Sequence, residues 1–305
     1  DVLVRYMKEG GVRIQTGAAV TGLSLDAATK HVSIRLKDKT EIRAQSCIVA
    51  TGGASRPETG STGEGFAWLK KIGHTIIDTN VALVPIALAD AWAKKLGGVT
   101  LKDIKLAVFH SPEHVEGQNG RKQWVREGKL LFTHFGVSGP IVLNMSKEVG
   151  EMIQYGEVVI ALDLFPKLDP GALKREFQTL LIAESNKKLK NTLSKLIPAA
   201  LVGALLELAE INGETANHSV RREDRIKLVA LMKTVPLHVK GLLGADKAVV
   251  SSGGVALPEV NFKTMQSRLM PNLYIIGDVL NIDRPSGGYS LQLCWTTGFV
   301  AGSNS

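Results

Sequence analysis

The run Leu273-Tyr274-Ile275-Ile276-Gly277-Asp278 constrains this chain more than any other stretch. Four consecutive apolar residues read as a strand buried on both faces, the kind found in parallel sheets covered by helices. Gly277 lets another group approach the strand end closely, and Asp278 sets a carboxylate beside it. A glycine-marked loop then passes through Gly287 and Gly288 into residues 289–300, where Leu291, Trp295, Thr296, Phe299 and Val300 fall on one helix face and read as its packing side. A strand, a loop and a helix that opens on glycine suit an anion, because unpaired N–H groups and the helix dipole both point toward the loop.

At 305 residues with 44% apolar content, the chain can bury a sizeable core and divide into two or three domains, which excludes dominant disorder. Residues 12–15, 19–23, 31–36 and 41–49 read as strands, with turns at Asp26-Ala27-Ala28 and Lys37-Asp38-Lys39, so the spacing predicts a β-meander. Its last strand ends in Ala50-Thr51-Gly52-Gly53-Ala54-Ser55, small residues that admit another backbone or a cofactor. A short helix is expected at 66–71, capped by Ser61 or Thr62. Pro85 places 81–88 at a sheet edge or domain crossing, and Pro140 suits the first turn of a helix. From Asp169, a helix cap followed by Pro170, strand signals vanish for about 65 residues and helical spacing takes over. Strand patterns resume at 237–241 and 247–250. The organisation read from these shifts is 1–80, a partial cofactor domain with the meander; 81–165, β-rich; 166–235, helical; 236–268, β-rich again; and 269–305, the final strand and helix.

The formal charge is +8, from 37 Lys and Arg against 29 Asp and Glu, which favours acidic partners without choosing among them. Basic residues at 167–195 and 221–227 have no interleaved aromatics to stack bases, so nucleic-acid binding is not expected. Cys47 and Cys294 belong to no paired motif, which removes a disulfide framework and makes the cytoplasm the default location. No apolar run reaches the roughly 20 residues that span a bilayer. His110 and His114 are four apart, but Pro112 spoils the helix that would align them on a metal. Around Gly136-Val137-Ser138-Gly139 the second spacing of a nucleophile elbow is absent.

Several motifs in a fixed order resemble the HI0933-like or BaiN-like bacterial flavoproteins, oxidoreductases that use FAD and NAD(P). They are Ala50-Thr51-Gly52-Gly53-Ala54-Ser55-Arg56-Pro57, Thr59-Gly60-Ser61-Thr62-Gly63-Glu64-Gly65, the 131–140 run ending in Gly139-Pro140, Ser252-Gly253-Gly254-Val255, Thr264-Met265-Gln266-Ser267, and Gly277-Asp278-Val279 through Gly287-Gly288-Tyr289. The resemblance implies an α/β chain with α+β insertions: a two-dinucleotide-type FAD-binding fold, incomplete here, interrupted by a β-barrel-like domain that itself contains a small helical domain. The glycine loop that family members wrap around the pyrophosphate has no counterpart near the start of this sequence, so the chain looks N-terminally truncated and is expected to be inactive alone. Two further departures are Asp278, where relatives commonly carry Glu, and Arg284, where they tend to have Gly.

The cofactor-binding residues this implies are Thr51, Gly52, Gly53, Gly277, Asp278, Gly287, Gly288 and Tyr289. Asp278 would take a sugar hydroxyl, and donors around Gly287-Gly288-Tyr289 would face the flavin pyrimidine edge. NAD(P)H is the electron donor implied, and the substrate a small hydrophobic or unsaturated molecule. His134 is the best-placed histidine for proton transfer, alongside an equally available structural role. The competing class is a non-catalytic, flavin-linked scaffold whose basic charge meets an acidic partner such as RNA.

Overall fold

The computed structural model describes residues 2–26, 31–55, 57–110, 124–244 and 250–305; Arg56, His114, the Ala27-Ala28 turn and most of the 247–250 strand lie outside the described residues. The chain opens with helix α1 (Val2–Glu9), and residues 12–15 are irregular where a strand was expected. Strands β1 (Val20–Leu25), β2 (Val32–Leu36) and β3 (Glu41–Ala44) pair antiparallel in sequence order, the meander anticipated from their alternation. The expected 41–49 strand breaks at residues 45–46, and its second half, β4 (Cys47–Val49), joins a different sheet. Helix α2 (Glu64–Lys71) is preceded by Gly63 in a left-handed conformation (φ 81°), not by a Ser61 or Thr62 side-chain cap. That geometry lets the Gly63 N–H reach the Gly53 carbonyl at 3.1 Å, a contact a capping serine in extended backbone would not make.

β5 (Ile76–Ala82) carries the chain out of this region, and a closed barrel follows. β6 (Ile86–Leu88), helix α3 (Ala91–Lys94), β7 (Thr100–His110), β8 (Trp124–Thr133) and β9 (Gly136–Ser138) precede two helices, α4 (Pro140–Leu143) and α5 (Ser146–Ile153). β10 (Val158–Asp163) and β11 (Val235–Leu242) complete it, in the order β10-β11-β6-β9-β8-β7. Closure leaves no free strand edge. It depends on Gly136, whose missing Cβ would otherwise overlap the Ile86 carbonyl.

Between β10 and β11 lie α6 (Pro170–Ala183), α7 (Leu189–Leu193), α8 (Ala199–Ala209) and α9 (Arg222–Lys233). Asp169 caps α6 as its sequence indicates, accepting the Ala172 N–H at 2.8 Å. Leu173, Phe177 and Leu181 form the buried stripe of α6, continuous with the barrel interior. The ammonium of Lys233 fastens the two together: it donates to the carbonyls of Phe165 (2.7 Å) and Leu168 (2.6 Å) and pairs with Asp163 at 2.8 Å.

Of the strand-like stretch 236–268, only β11 belongs to the barrel. β12 (Val250–Val255) pairs with β5, and β13 (Val260–Asn261) and β14 (Gln266–Ser267) lead into β15 (Leu273–Ile275), giving a sheet ordered β13-β14-β15-β4. α10 (Tyr289–Gly302) closes the chain. A second core gathers here, around Leu69, Val255, Leu273 and Ile275.

A buried clasp ties this core across the sequence. His74, 2% exposed, meets Glu259 Oε2 through Nδ1 at 2.8 Å and Ser267 Oγ through Nε2 at 2.9 Å. Ser267 Oγ already accepts the N–H groups of Leu269 and Met270, so its own hydrogen is directed to His74. A serine, a histidine and a carboxylate in line suggest hydrolysis, but Ser267 is 3% exposed and no substrate reaches it. The arrangement is structural. Burial pushes the Glu259 carboxyl up, but the Thr75 hydroxyl and N–H together with His74 outweigh that and hold it below the ordinary glutamate range. A depressed carboxylate stabilises the fold above its unfolded pKa, and the contribution disappears as pH falls through the folded value. Glu259→Gln is therefore expected to cost about 1–2 kcal/mol at pH 7. Thermal melts of both proteins should converge as the pH falls through the folded-state titration of Glu259, and a difference undiminished in acid would contradict the assignment.

Candidate functional site

β15 and β4 run parallel and in register, Ile275 beside Val49, and the Ile276 N–H donates to the Val49 carbonyl at 3.1 Å. Gly277 and Thr51 therefore leave the sheet at the same edge, the carboxyl end of two parallel strands, where open α/β sheets bind their ligands. The two segments singled out in the sequence, Thr51-Gly52-Gly53 and Gly277-Asp278, are brought together. The chain then runs from a single 3-10 turn at Gly277–Val279 to Gly287 (φ 112°) and Gly288 (φ 93°), which swing it into α10.

Gly277 itself adopts a left-handed conformation (φ 73°), and a Cβ there would lie 3.3 Å from Cys294 Sγ. Its N–H donates to Thr297 Oγ1 at 3.1 Å, an anchor that no residue pattern singles out. Beneath the loop lies the Ser252-Gly253-Gly254-Val255 motif: a Cβ on Gly254 would come within 2.5 Å of the Val279 carbonyl, and the Asn281 N–H bonds the Val255 carbonyl at 3.1 Å. At the other strand end the glycines serve packing. A Cβ on Gly52 (φ 72°) would sit 2.8 Å from Ser61 Oγ, and the Gly53 carbonyl is taken by Gly63, so the 51–53 and 61–65 loops lie directly against each other.

Arg284 organises the loop. Its side chain is 5% exposed, and its three nitrogens reach three different parts of the segment: Nε the Ser290 hydroxyl at 2.9 Å, Nη1 the Ile282 carbonyl at 2.5 Å, and Nη2 the Asp278 carboxylate. Burial pushes the Asp278 carboxyl above the usual carboxylate range, and the neighbouring guanidinium offsets only part of that rise. The Cys294 thiol is likewise pushed up, first by burial and then by Asp278.

The residues present suit a flavin nucleotide. Gly287 and Gly288 have open space where a Cβ would stand, and α10 starts without a side-chain cap, so its first N–H groups face outward. Tyr289 is 57% exposed beside them. Ser286 Oγ is buried with no hydrogen-bond partner, a polar atom that a ligand in this loop would satisfy. Asp278 gives one carboxylate oxygen to Arg284 and retains a second for a sugar hydroxyl.

His134 lies elsewhere. It is exposed in the β8–β9 turn, edge-on to the Phe135 ring at 4.9 Å. The loop after Asp278 borders a cleft that meets β8 at its other end, Trp124, about 30 Å along the strand from that turn. Geometry thus separates the histidine from the loop, and Gly136 and Gly139 serve barrel closure around it. On the helical segment, Lys187 and Lys195 share Glu184 while Lys188 and Lys190 share Glu214, holding both carboxyls at about 2; four cations against two anions leave that face basic. Among the described residues no helix is long and apolar enough to cross a membrane.

A parallel strand pair with a glycine–carboxylate loop at its carboxyl edge, interrupted by a six-stranded barrel, defines a Rossmann-type protein with an inserted barrel. The chain belongs to the HI0933-like family, matching the HI0933-like protein Rossmann domain over residues 1–304. Among curated proteins it is 29% identical over 304 residues to the 3-dehydro-bile acid delta(4,6)-reductase of Clostridium scindens, covering 99% of this chain and 71% of that one. It is equally 29% identical over 300 residues to the ribosomal RNA dihydrouridine synthase of Escherichia coli, covering 98% and 70%. The protein of the same name from Haemophilus influenzae is 29% identical over 269 residues, covering 86% and 61%.

A lysine in place of Arg284 keeps the charge but cannot reach Asp278, Ile282 and Ser290 at once. Arg284→Lys is expected to lower the free energy of unfolding by about 1–2 kcal/mol in urea titrations, and an unchanged midpoint would show that the three contacts do not act together.

Proposed function

We propose that this chain carries the cofactor loop and the substrate side of an FAD-dependent oxidoreductase that saturates a C=C bond conjugated to a carbonyl. The observation that carries the reading is the shared strand edge at which Gly277, Asp278 and the uncapped start of α10 converge. The names of its relatives support the reaction class. A delta(4,6)-reductase of a 3-dehydro bile acid and a dihydrouridine synthase have dissimilar substrates, yet both names describe hydrogenating a ring double bond conjugated to a carbonyl.

FAD, when bound, supplies the two-electron carrier that passes hydride. The chain's own groups do the holding. Gly277 leaves room for close approach, Asp278 accepts from a ribitol or ribose hydroxyl, and the N–H groups of residues 289–291 with the helix dipole face negative charge on the ring. The net reaction adds hydride and a proton across the double bond while NAD(P)H, the donor implied by the family resemblance, becomes NAD(P)+. A second reading, that the protein is a scaffold docking RNA, draws on the four-lysine face.

The purified protein is expected to be yellow, absorbing at about 450 nm, and to bleach with NADH or NADPH. Asp278→Ala should weaken FAD binding about ten-fold. A colourless product that cannot be reconstituted, but binds RNA at about 0.15 M salt, would leave the scaffold reading in its place.

A further inference from the structure

The loop that follows Asp278 forms one wall of a cleft of about 520 Å³, within the range of about 300–1,000 Å³ usual for small-molecule sites. The facing wall comes from the barrel region: Trp124 and Arg126 at the start of β8, and Asn144, Lys147 and Glu148 around the start of α5. Two contacts fix the walls to each other. Lys147 Nζ meets Asp283 Oδ2 at 2.6 Å, and the Ser286 N–H donates to Asn144 Oδ1 at 2.7 Å.

The cations of this cleft are already paired, and Glu151 adds a further carboxylate to its lining. Arg126 faces Glu148 at 3.7 Å, Lys147 holds Asp283, and Arg284 is engaged by Asp278. A phosphate or carboxylate placed here would have to break one of those pairs, so the lining favours a neutral group. What remains available is a flat surface. Trp124 is 38% exposed, with the Arg126 guanidinium 5.7 Å from its ring centroid, and Leu83, Leu143, Ile282 and Pro285 supply apolar contact around it. An exposed indole braced by an arginine makes a stacking platform for a planar ring.

We infer that this cleft binds the reducible ring itself, a neutral, planar, conjugated carbonyl ring stacked on Trp124, with any charged remainder of the substrate left outside. The inference rests on the oxidoreductase reading for the identity of the ring and on the cleft alone for its location. Two sources share this chemistry, a uracil carried on RNA and the enone ring of a free small molecule.

The test uses the purified protein with three probes: uridine, a short uridine-containing RNA, and a 4-en-3-one steroid. Binding is followed by ligand-observed NMR and flavin content by absorbance. Trp124→Ala is expected to weaken at least one probe about ten-fold or more, while Trp124→Phe stays within about three-fold and flavin content is unchanged in both. Tighter binding of the RNA than of uridine, lost together with Trp124, assigns the ring to a nucleic acid; Trp124-dependent binding of the steroid alone assigns it to a free molecule. Either result supports the site. If no probe binds, or if Trp124→Ala binds as the parent does, the cleft is not the ring site. A yellow protein with Trp124-independent binding would overturn this inference and leave the flavin reading standing. A colourless protein whose ring binding still requires Trp124 would do the opposite.

Discussion

Three residue pairs in parallel register between β15 and β4 decide which loops of this protein meet at one sheet edge. Parallel pairing makes two strands that are far apart in sequence end on the same side, and each ends in glycine because something else must come close. At β4 the neighbour is the chain's own 61–65 loop. At β15 it is α10 on one side, while the glycines at 287 and 288 look into open space. That asymmetry separates glycines packed against the chain from glycines with open space beside them, and composition alone does not reveal it.

The barrel and its helices form a core of their own, yet they reach the loop through short polar contacts, not shared apolar packing. Lys147 with Asp283 and Asn144 with the Ser286 N–H are bonds between the insertion and the segment that follows Asp278. Exposed ion pairs of this kind contribute little stability, about 0–1 kcal/mol. Their value lies in position, since they hold two walls at a separation that a ring can enter. A wall attached by apolar burial would close on itself, whereas one attached at two polar points leaves a cleft between them.

Much of this was legible from residue patterns where local rules govern. The meander follows from period-2 alternation, the Asp169 cap from its Pro170 neighbour, and the buried strand from four consecutive apolar residues. Where the outcome depends on distant partners, the sequence misleads. In α10 the apolar face is not the one turned to the sheet: Leu291, Trp295 and Phe299 are 59%, 60% and 77% exposed while Thr297 and Ala301 are buried. The helix lies so close to Gly277 and Ile276 that only small side chains fit between them, and Thr297 must be there to meet the Gly277 N–H. The break at residues 45–46 is of the same kind, because membership of a second sheet is set by β15, more than 220 positions away. His134 suits proton transfer by chemistry alone, and only the length of β8 shows how far along the strand it stands from the end that faces the loop after Asp278.

Arg284 shows how one substitution can change what a loop requires. A glycine there would leave the backbone free and the loop's final shape dependent on whatever binds it. The guanidinium instead bonds Asp278, Ile282 and Ser290, so the segment is fixed in advance by its own residues. Burying that cation is costly, and a partner carboxylate plus two neutral acceptors is close to the least that offsets it. The gain is preorganisation: a ligand meeting this loop does not have to order it, and the free energy otherwise lost in doing so remains in the affinity. The same bond occupies half of the carboxylate that a ribose or ribitol would use, leaving one oxygen of Asp278 to do what a free carboxylate does with two. Rigidity and hydrogen-bonding capacity are thus exchanged at a single residue.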